Sequence, residues 1–155
     1  MKKSLITLTL LIAATVLTTP VLADDENDVR AEMLRFLTAL NTGDVDGFMH
    51  HYLPGNTSFV PENPFLSRND SLGDQRKSWK ATVDSGQKLD LQLRHMEIDI
   101  YFNSTAVVNC YLVGTATSPD GAIRQVHWQC SAVMIKQEGQ WKEVHHHRSP
   151  LRLPE

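Results

Sequence analysis

The sequence after Gly86 constrains the fold most, because almost all of it has the two-residue period of β-strands. Apolar residues alternate with polar ones in one phase at Leu89, Leu91 and Leu93. They alternate in the opposite phase at Met96, Ile98, Ile100 and Phe102. One extra residue produces such a change of phase, so we predict a β-bulge near Arg94-His95 that bends the strand. Further strands are predicted at residues 105–117, 122–136 and 140–148.

The first half of the sequence carries the signals of three helices. The first is predicted over residues 24–40, with an apolar face formed by Val29, Met33, Phe36, Leu37 and Leu40. Asp44 is expected to cap a shorter second helix that ends at Pro54-Gly55, and Asp70 or Ser71 caps a third that runs to about Val83. A short strand at residues 57–60 and an irregular loop at 61–69 lie between them. Helices followed by a meander predict an α+β fold, with helices on one face of an antiparallel sheet.

The N-terminus has the three parts of a secretory signal peptide. Two lysines follow Met1, residues 4–18 carry no charge, and Val21-Leu22-Ala23 supplies the small or aliphatic residues of a cleavage site. The alternative is a membrane anchor, but Thr19-Pro20 interrupts the apolar run after the 15 residues 4–18, which is shorter than the ~20 residues that span a bilayer. We therefore predict a cleaved signal peptide at residues 1–23 and a periplasmic or secreted domain at 24–155.

Cleavage would leave a single mildly acidic domain. Removal of 23 residues from 155 leaves 132, and loss of Lys2 and Lys3 changes the formal charge from −3 to −5. No basic stripe is present, so nucleic acid is not an expected partner. No second apolar segment suggests a membrane span after cleavage.

The two cysteines are predicted to lie opposite each other on adjacent strands. Pro119-Asp120 favours a type I turn with Gly121 in the left-handed region, and this register pairs Cys110 with Cys130. In an oxidising compartment the two would form a disulfide, and the alternative is two buried free thiols. The same register gives the hairpin an apolar face toward the helices, formed by Ala106, Val108, Cys110, Leu112, Val126, Trp128, Cys130, Ala132 and Met134.

Three consecutive histidines lie on the last predicted strand. A tight turn at Glu138-Gly139 would place His145 and His147 on the apolar face and His146 on the other. His145 and His147 are then satisfied core histidines, the lining of a ligand pocket, or metal ligands. The last needs a third ligand that the sequence does not show, although one of His50-His51 could approach, and we predict no metal site.

Three segments together resemble a known superfamily. They are FLTALNTGDVD at residues 36–46, TSFVPENP at 57–64 and GQWKEVHHHRSP at 139–150. The chain is similar to the nuclear transport factor 2-like superfamily, and in particular to bacterial SnoaL-like domains and to the association (hub) domain of calmodulin-dependent protein kinase. The resemblance implies a cone-shaped fold, in which a strongly bent antiparallel sheet wraps around one long and two shorter helices and leaves a pocket at its open end.

Members of this superfamily include isomerases, cyclases, dehydratases, binding modules and oligomerisation hubs, so the fold alone does not define a function. In the hub domains the resemblance implies a polar pocket with an arginine and an acidic residue before the terminal tryptophan. These positions fall on Ala132 and Cys130, so we expect a less polar pocket here. The resemblance also places Phe59 and Glu62 near the pocket mouth.

These observations predict an exported small-molecule-binding protein whose pocket supports acid/base chemistry without a cofactor. The predicted ligand-binding residues are Tyr52, Phe59, Trp128, His145 and His147. The candidate catalytic residues are His145, His147 and Glu62, although Glu62 also fits a solvated loop acid. Asp44 is a further nearby acid, but a helix cap explains it better.

The alternative function is a non-enzymatic oligomerisation or protein-interaction module. It would use the outer sheet face, where Tyr111, His127 and Gln129 are predicted. With either function, we predict a homodimer formed through that face.

Overall fold

The computed structural model describes residues 22–151. The helices are α1 (Leu22–Thr42), α2 (Val45–His50) and α3 (Leu72–Asp84). The strands are β1 (Tyr52–Val60), β2 (Asn63–Asn69), β3 (Lys88–Tyr101), β4 (Thr105–Thr117), β5 (Ile123–Gln137) and β6 (Gln140–Pro150). The predicted signal peptide lies outside the described residues, apart from its last two. Within residues 22–151, no helix is both long and apolar enough to cross a membrane.

The helix boundaries follow local capping chemistry. The carboxylate of Asp44 accepts hydrogen bonds from the backbone N–H groups of Asp46 and Gly47, which begins α2 as predicted. The hydroxyl of Ser71 accepts from the N–H of Asp74 and begins α3. Helix α2 ends at His50, earlier than predicted, and the chain continues directly into β1.

Six strands form one curved, open sheet in the order β2-β1-β6-β5-β4-β3. All neighbouring pairs are antiparallel except β1 and β6, which are parallel, so the predicted antiparallel sheet is in fact mixed. The predicted loop at residues 61–69 contains β2, because the edge of β1 offers it hydrogen-bonding partners and proline is tolerated on an edge strand. The α+β fold and its bent sheet are confirmed.

The predicted bulge in β3 is present. The β3–β4 register shifts between Arg94 and Glu97, and His95 has a φ of 49°. The β4–β5 turn also has the predicted form: the N–H of Ser118 donates to the carbonyl of Ala122 over 2.9 Å, and Gly121 has a φ of 86°. Cys110 and Cys130 are therefore direct cross-strand neighbours.

A second bulge, in β6, was not predicted. Close to the turn Lys136 pairs with Trp141, as expected, but farther along Val133 pairs with His145. Val144 is the extra residue that shifts the register by one. Every residue of β6 after Val144 consequently faces the side opposite to the prediction.

The core lies between α1 and the inner face of the sheet. One cluster contains Val29, Met33, Ala106, Val108, Ala132, Met134 and Trp141. A second cluster borders the cavity described below and contains Leu91, Leu112, Ala116, Val126 and Trp128. Between the helices and this second cluster the packing leaves a cavity, which β6 reaches with polar side chains.

Candidate functional site

A cavity of about 550 Å³ opens between the three helices and the inner sheet face. Its walls are mainly apolar and include Phe36, Leu37, Phe48, Trp79, Leu91, Leu112 and Trp128. Phe48 stacks on Trp79, with ring centroids 4.4 Å apart, which fixes α3 over the cavity. The size and the apolar walls are typical of a small-molecule site.

Strand β6 supplies the polar end of this cavity. Its inner face carries Glu143, His146 and Arg148, all of which line the cavity. Glu143 and His146 are three positions apart, and regular alternation would place them on opposite faces. The extra residue Val144 brings them onto the same face. Across the sheet, Ala132 is opposite His146 and Cys130 is opposite Arg148.

A chain of buried hydrogen bonds extends from His146 into the protein. His146 Nδ1 lies 2.7 Å from Glu143 Oε1, and Glu143 Oε2 lies 3.2 Å from His51 Nε2. His51 Nδ1 lies 2.9 Å from Glu32 Oε1, while Glu32 Oε2 is bound by the Arg35 guanidinium at 2.6 Å. The four inner groups link α1, the end of α2 and β6; we call Glu32, His51, Glu143 and His146 the inner relay.

The charges of the inner relay follow from its geometry. Burial by itself raises the pKa of Glu143, but the electrostatic interaction and hydrogen bond with His146 and the contact with His51 outweigh it and lower the pKa to about 2. Burial also raises the pKa of Glu32, and the bonds from His51 and Arg35 lower it to about 2. Both groups are therefore carboxylates at neutral pH and can only accept hydrogen bonds.

His51 is held as an imidazolium between these two carboxylates. Burial alone lowers its pKa, but its hydrogen bonds to Glu143 and Glu32 outweigh this and raise it. Both ring nitrogens face acceptor oxygens, so both donate. The ring of Phe36 stacks on His51 at 4.2 Å and completes its burial.

His146 and Arg148 retain unused hydrogen-bonding capacity. Because Glu143 accepts from Nδ1 of His146, the ring's other nitrogen, Nε2, is left over, and it is buried without a partner in the described part of the chain. The Nε of Arg148 is also buried without a partner among residues 22–151. The Arg148 guanidinium lies 5.0 Å from the centre of the Trp128 ring.

Tyr52 completes the polar end. Its ring centroid is 6.3 Å from that of His146, and it lines the same cavity. Burial, together with the nearby charge of Glu143, raises the pKa of Tyr52 well above its ordinary value. Its hydroxyl therefore stays protonated and can donate a hydrogen bond.

The residues predicted from sequence divide between the cavity and the outer face. Tyr52, Trp128 and Glu62 line the cavity, with Glu62 at 3.4 Å from Arg124. His145, His147 and Phe59 do not line it. Phe59 is 40% exposed, and its ring centroid lies 6.2 Å from each of the two histidines.

The predicted inward orientation of His145 and His147 is therefore wrong. It assumed that the register set by the Glu138-Gly139 turn continues along β6, whereas the bulge at Val144 reverses it. His145 instead shares a 2.8 Å hydrogen bond with Thr57 Oγ1, and His147 lies beside an outer depression that also contains Tyr111. Within residues 22–151, no three His, Cys, Asp or Glu side chains are arranged so that they could hold a metal ion.

Sequence reasoning missed Glu32, Arg148 and the inward role of His146. Glu32 left a signal that could have been used: it falls on the apolar face of α1, next to Met33 and one turn after Val29. A charged residue on a buried helix face usually has a buried partner. His51 was considered only as a metal ligand, and its burial follows from the position of α2.

Both cysteines border the cavity as free thiols, with Cys110 buried and Cys130 partly buried. Their predicted cross-strand pairing is confirmed, and the disulfide stays a prediction. The contact with Cys130, followed by burial, raises the pKa of Cys110. The same contact lowers the pKa of Cys130, and so does the nearby charge of Arg148.

Comparison with known proteins defines the family. Residues 29–152 match the model of the SnoaL-like domain, and the chain belongs to this family. The resemblance predicted from sequence is thereby confirmed. No curated protein matches the sequence.

Solved structures with the same fold share little sequence with this chain. A ketosteroid isomerase-like protein from Erwinia carotovora atroseptica has a TM-score of 0.70 and 17% identity, covering 82% of this chain and 96% of its own. A protein with a cystatin-like fold from Caulobacter vibrioides has a TM-score of 0.66 and 17% identity, covering 83% and 91%. The association domain of C. elegans CaMKII has a TM-score of 0.62 and 21% identity, covering 82% and 95%. These likenesses establish the fold alone.

Proposed function

We propose that the protein binds a small organic anion, such as a carboxylate, in the cavity. The observation that carries this proposal is Arg148, which lines the cavity and pairs with no carboxylate in the part of the chain that the structure describes. Its Nε is buried and unpartnered, so an anion would satisfy both its charge and a hydrogen-bond donor. The resemblance to hub domains suggested an arginine at position 132; here the guanidinium comes from the next strand.

The remainder of the cavity suits an apolar ligand body. Phe36, Leu112 and Trp128 contribute carbon surface, and burial of such surface stabilises a complex by about 25 cal/mol per Å². His146 and Tyr52 add groups for acid/base chemistry without a cofactor at the same end. The predicted ligand residues Tyr52 and Trp128 thus belong to the proposed site, while Phe59, His145 and His147 do not.

Titration with short-chain and branched carboxylates tests this proposal. Wild-type protein should show ligand-dependent thermal stabilisation, and calorimetry should give a Kd. Replacement of Arg148 by Met should weaken binding by about 10- to 100-fold, the effect of one charged hydrogen-bonding group. Replacement of Arg68 by Met, on the exposed edge strand, is the matched control and should leave Kd unchanged. Equal Kd values for the two variants would contradict the proposed site.

A second candidate is an interaction module that uses the outer sheet face. A depression there is lined by His95, Glu97, Asn109, Tyr111, Gln129 and His147, and the Tyr111 side chain is 38% exposed. Structures with this fold include CaMKII association domains. We propose a homodimer through this face. A Tyr111→Arg variant should have half the wild-type mass in light scattering, and an unchanged mass would contradict the interface.

We also propose that the chain is exported. The support is the basic, apolar and small-residue order of residues 1–23. Expression of the full chain in a bacterium, followed by fractionation and intact-mass measurement, should give a periplasmic product that begins at Asp24. A cytoplasmic product that begins at Met1 would contradict export.

A further inference from the structure

The hydrogen bonds of the inner relay indicate a specific chemical role for His146. We propose that His146 transfers a proton to and from a carbon atom of the bound ligand, and that this ligand is a small oxo acid. The inference rests on the proposed anion-binding function. It adds a reaction and a substrate class to it.

The tautomer of His146 is set by its neighbour. Glu143 is an ionised carboxylate and accepts from Nδ1, so the proton of the neutral imidazole is on Nδ1 and the lone pair is on Nε2. Nε2 is the one ring atom able to take a proton, and no group of residues 22–151 occupies it. This arrangement of carboxylate, imidazole and free nitrogen is that of a positioned general base.

The rest of the inner relay keeps Glu143 in place. Its second oxygen is held by the His51 imidazolium, and His51 is in turn held by Glu32 on α1. Glu143 therefore cannot rotate away from His146 without breaking a buried charged hydrogen bond. Glu143, His51 and Glu32 are positioning residues, because they act through His146.

The distance between His146 and Arg148 limits the ligand. The two residues lie on one face of β6 and are separated by one residue, so their backbones are roughly 7 Å apart. In a ligand whose carboxylate binds Arg148, the carbon that reaches His146 is therefore only a few bonds from that carboxylate. A carbonyl next to that carbon makes its proton acidic and offers an acceptor to the hydroxyl of Tyr52.

The proposed step is balanced within the ligand and His146. Nε2 takes the proton from the carbon beside the carbonyl, the C–H bond breaks, and its electron pair forms the enolate. His146 becomes an imidazolium bound to the Glu143 carboxylate. Return of the proton to carbon restores both partners, so no further reactant is consumed.

Proton exchange with solvent measures this step directly. The probe is 4-methyl-2-oxopentanoate in D₂O, which has a carboxylate, a carbonyl, exchangeable C3 protons and an apolar tail. Proton NMR should show loss of the C3 signal with wild-type protein. His146→Gln should slow this exchange by at least about 100-fold, far more than it changes the Kd that calorimetry gives. His147→Gln, on the outer face of the same strand, is the matched control and should exchange at the wild-type rate.

The positioning role has its own readout. Nitrogen-15 NMR of the imidazoles should show that the neutral form of His146 carries its proton on Nδ1 in wild-type protein. Glu143→Gln, whose amide oxygen can still accept from Nδ1, should keep this tautomer but slow exchange, because it cannot stabilise the imidazolium. A proton on Nε2 in the wild-type protein would overturn the inference without any ligand being present.

The two proposals fail in different ways. Binding of the oxo acid that depends on Arg148, without any C3 exchange, would overturn the proton transfer and leave the anion site intact. Exchange that persists in His146→Gln would also overturn it. Absence of binding by wild-type protein at millimolar oxo acid would overturn the proton transfer, and absence of binding by every carboxylate of the titration series would overturn the anion site as well.

Discussion

The two faces of β6 carry the same residue type but have different surroundings. On the inner face His146 is bound to a buried carboxylate beside a cavity. On the outer face His145 shares a hydrogen bond with the hydroxyl of Thr57, and His147 is exposed. The presence of a histidine on β6 therefore does not by itself indicate acid/base chemistry. The face of the sheet on which its ring lies decides whether it can contact a ligand in the cavity.

One residue produces this difference. Val144 is accommodated as a bulge, so Glu143 and His146 share a face although they are three positions apart. Without it, the inner face would present His145 and His147 next to Ala132 and Cys130. A bulge beside a site is a recurrent device for directing a side chain.

The largest difference between the faces is expected in folding stability. Glu143→Ala removes the group that holds both His51 and His146, and leaves a buried imidazolium with one carboxylate fewer. We expect a loss of about 3 to 5 kcal/mol in the free energy of unfolding, measured with urea. His147→Ala, on the outer face, should change it by less than about 0.5 kcal/mol. Similar losses for the two variants would show that the inner relay is not formed.

The cysteine pair extends the comparison to β5. If the exported protein oxidises Cys110 and Cys130, closing a loop of this length should add roughly 3 kcal/mol of stability relative to the reduced chain. Intact mass under non-reducing conditions should then be two hydrogens lower than after reduction. Labelling of both thiols in the native exported protein would contradict the disulfide.

Dependence of stability on pH tests the charges of the inner relay. The pKa of His51 is raised, so its contribution is complete below its ordinary value of 6.5 and is lost as the pH rises through the folded-state pKa. The pKa values of Glu32 and Glu143 are lowered from 4.5 to about 2, so their contributions are complete above 4.5 and are lost as the pH falls toward 2.

Stability should therefore be greatest between about pH 4.5 and 6.5 and should decrease on both sides. Urea titrations across this range measure it. A His51→Gln variant should lose the decrease on the alkaline side, because no imidazolium is left to deprotonate. An identical alkaline decrease in the variant would contradict a charged His51.

A smaller loss of stability is expected when a hydrogen bond of the outer face is removed. His145→Ala breaks the partly buried 2.8 Å hydrogen bond with Thr57, for which we expect a loss of about 1 kcal/mol. Ligand binding in the cavity should be unchanged, because His145 does not line it. Weaker carboxylate binding in this variant would indicate that both faces of β6 contribute to the site.

Most of the fold was predictable because its signals are local. Asp44 as a cap and Pro119-Asp120-Gly121 as a turn depend on neighbouring residues alone, and the bulge at His95 changes the phase of a clear apolar alternation. Strand β2 was not predictable in this way, since it forms by pairing with β1.

The site was predictable only in part. Trp128 was placed near the cavity by a hairpin pattern that the structure retains. Tyr52 was predicted on α2 but is the first residue of β1, and it lines the cavity from there. The bulge at Val144 left no comparable signal, because three identical histidines follow it and provide no alternation in which a phase change could be seen. The pairing of Glu32 with His51 depends on how α1 and α2 pack, which the sequence pattern does not define.

The central claim is that the inner face of β6 forms the site. Imidazole NMR spectra of the histidines, recorded during titration with 4-methyl-2-oxopentanoate, test it most directly. We expect the signals of His146 to shift with the ligand while those of His145 and His147 stay constant. Shifts confined to His145 and His147 would contradict the account and place the ligand on the outer face.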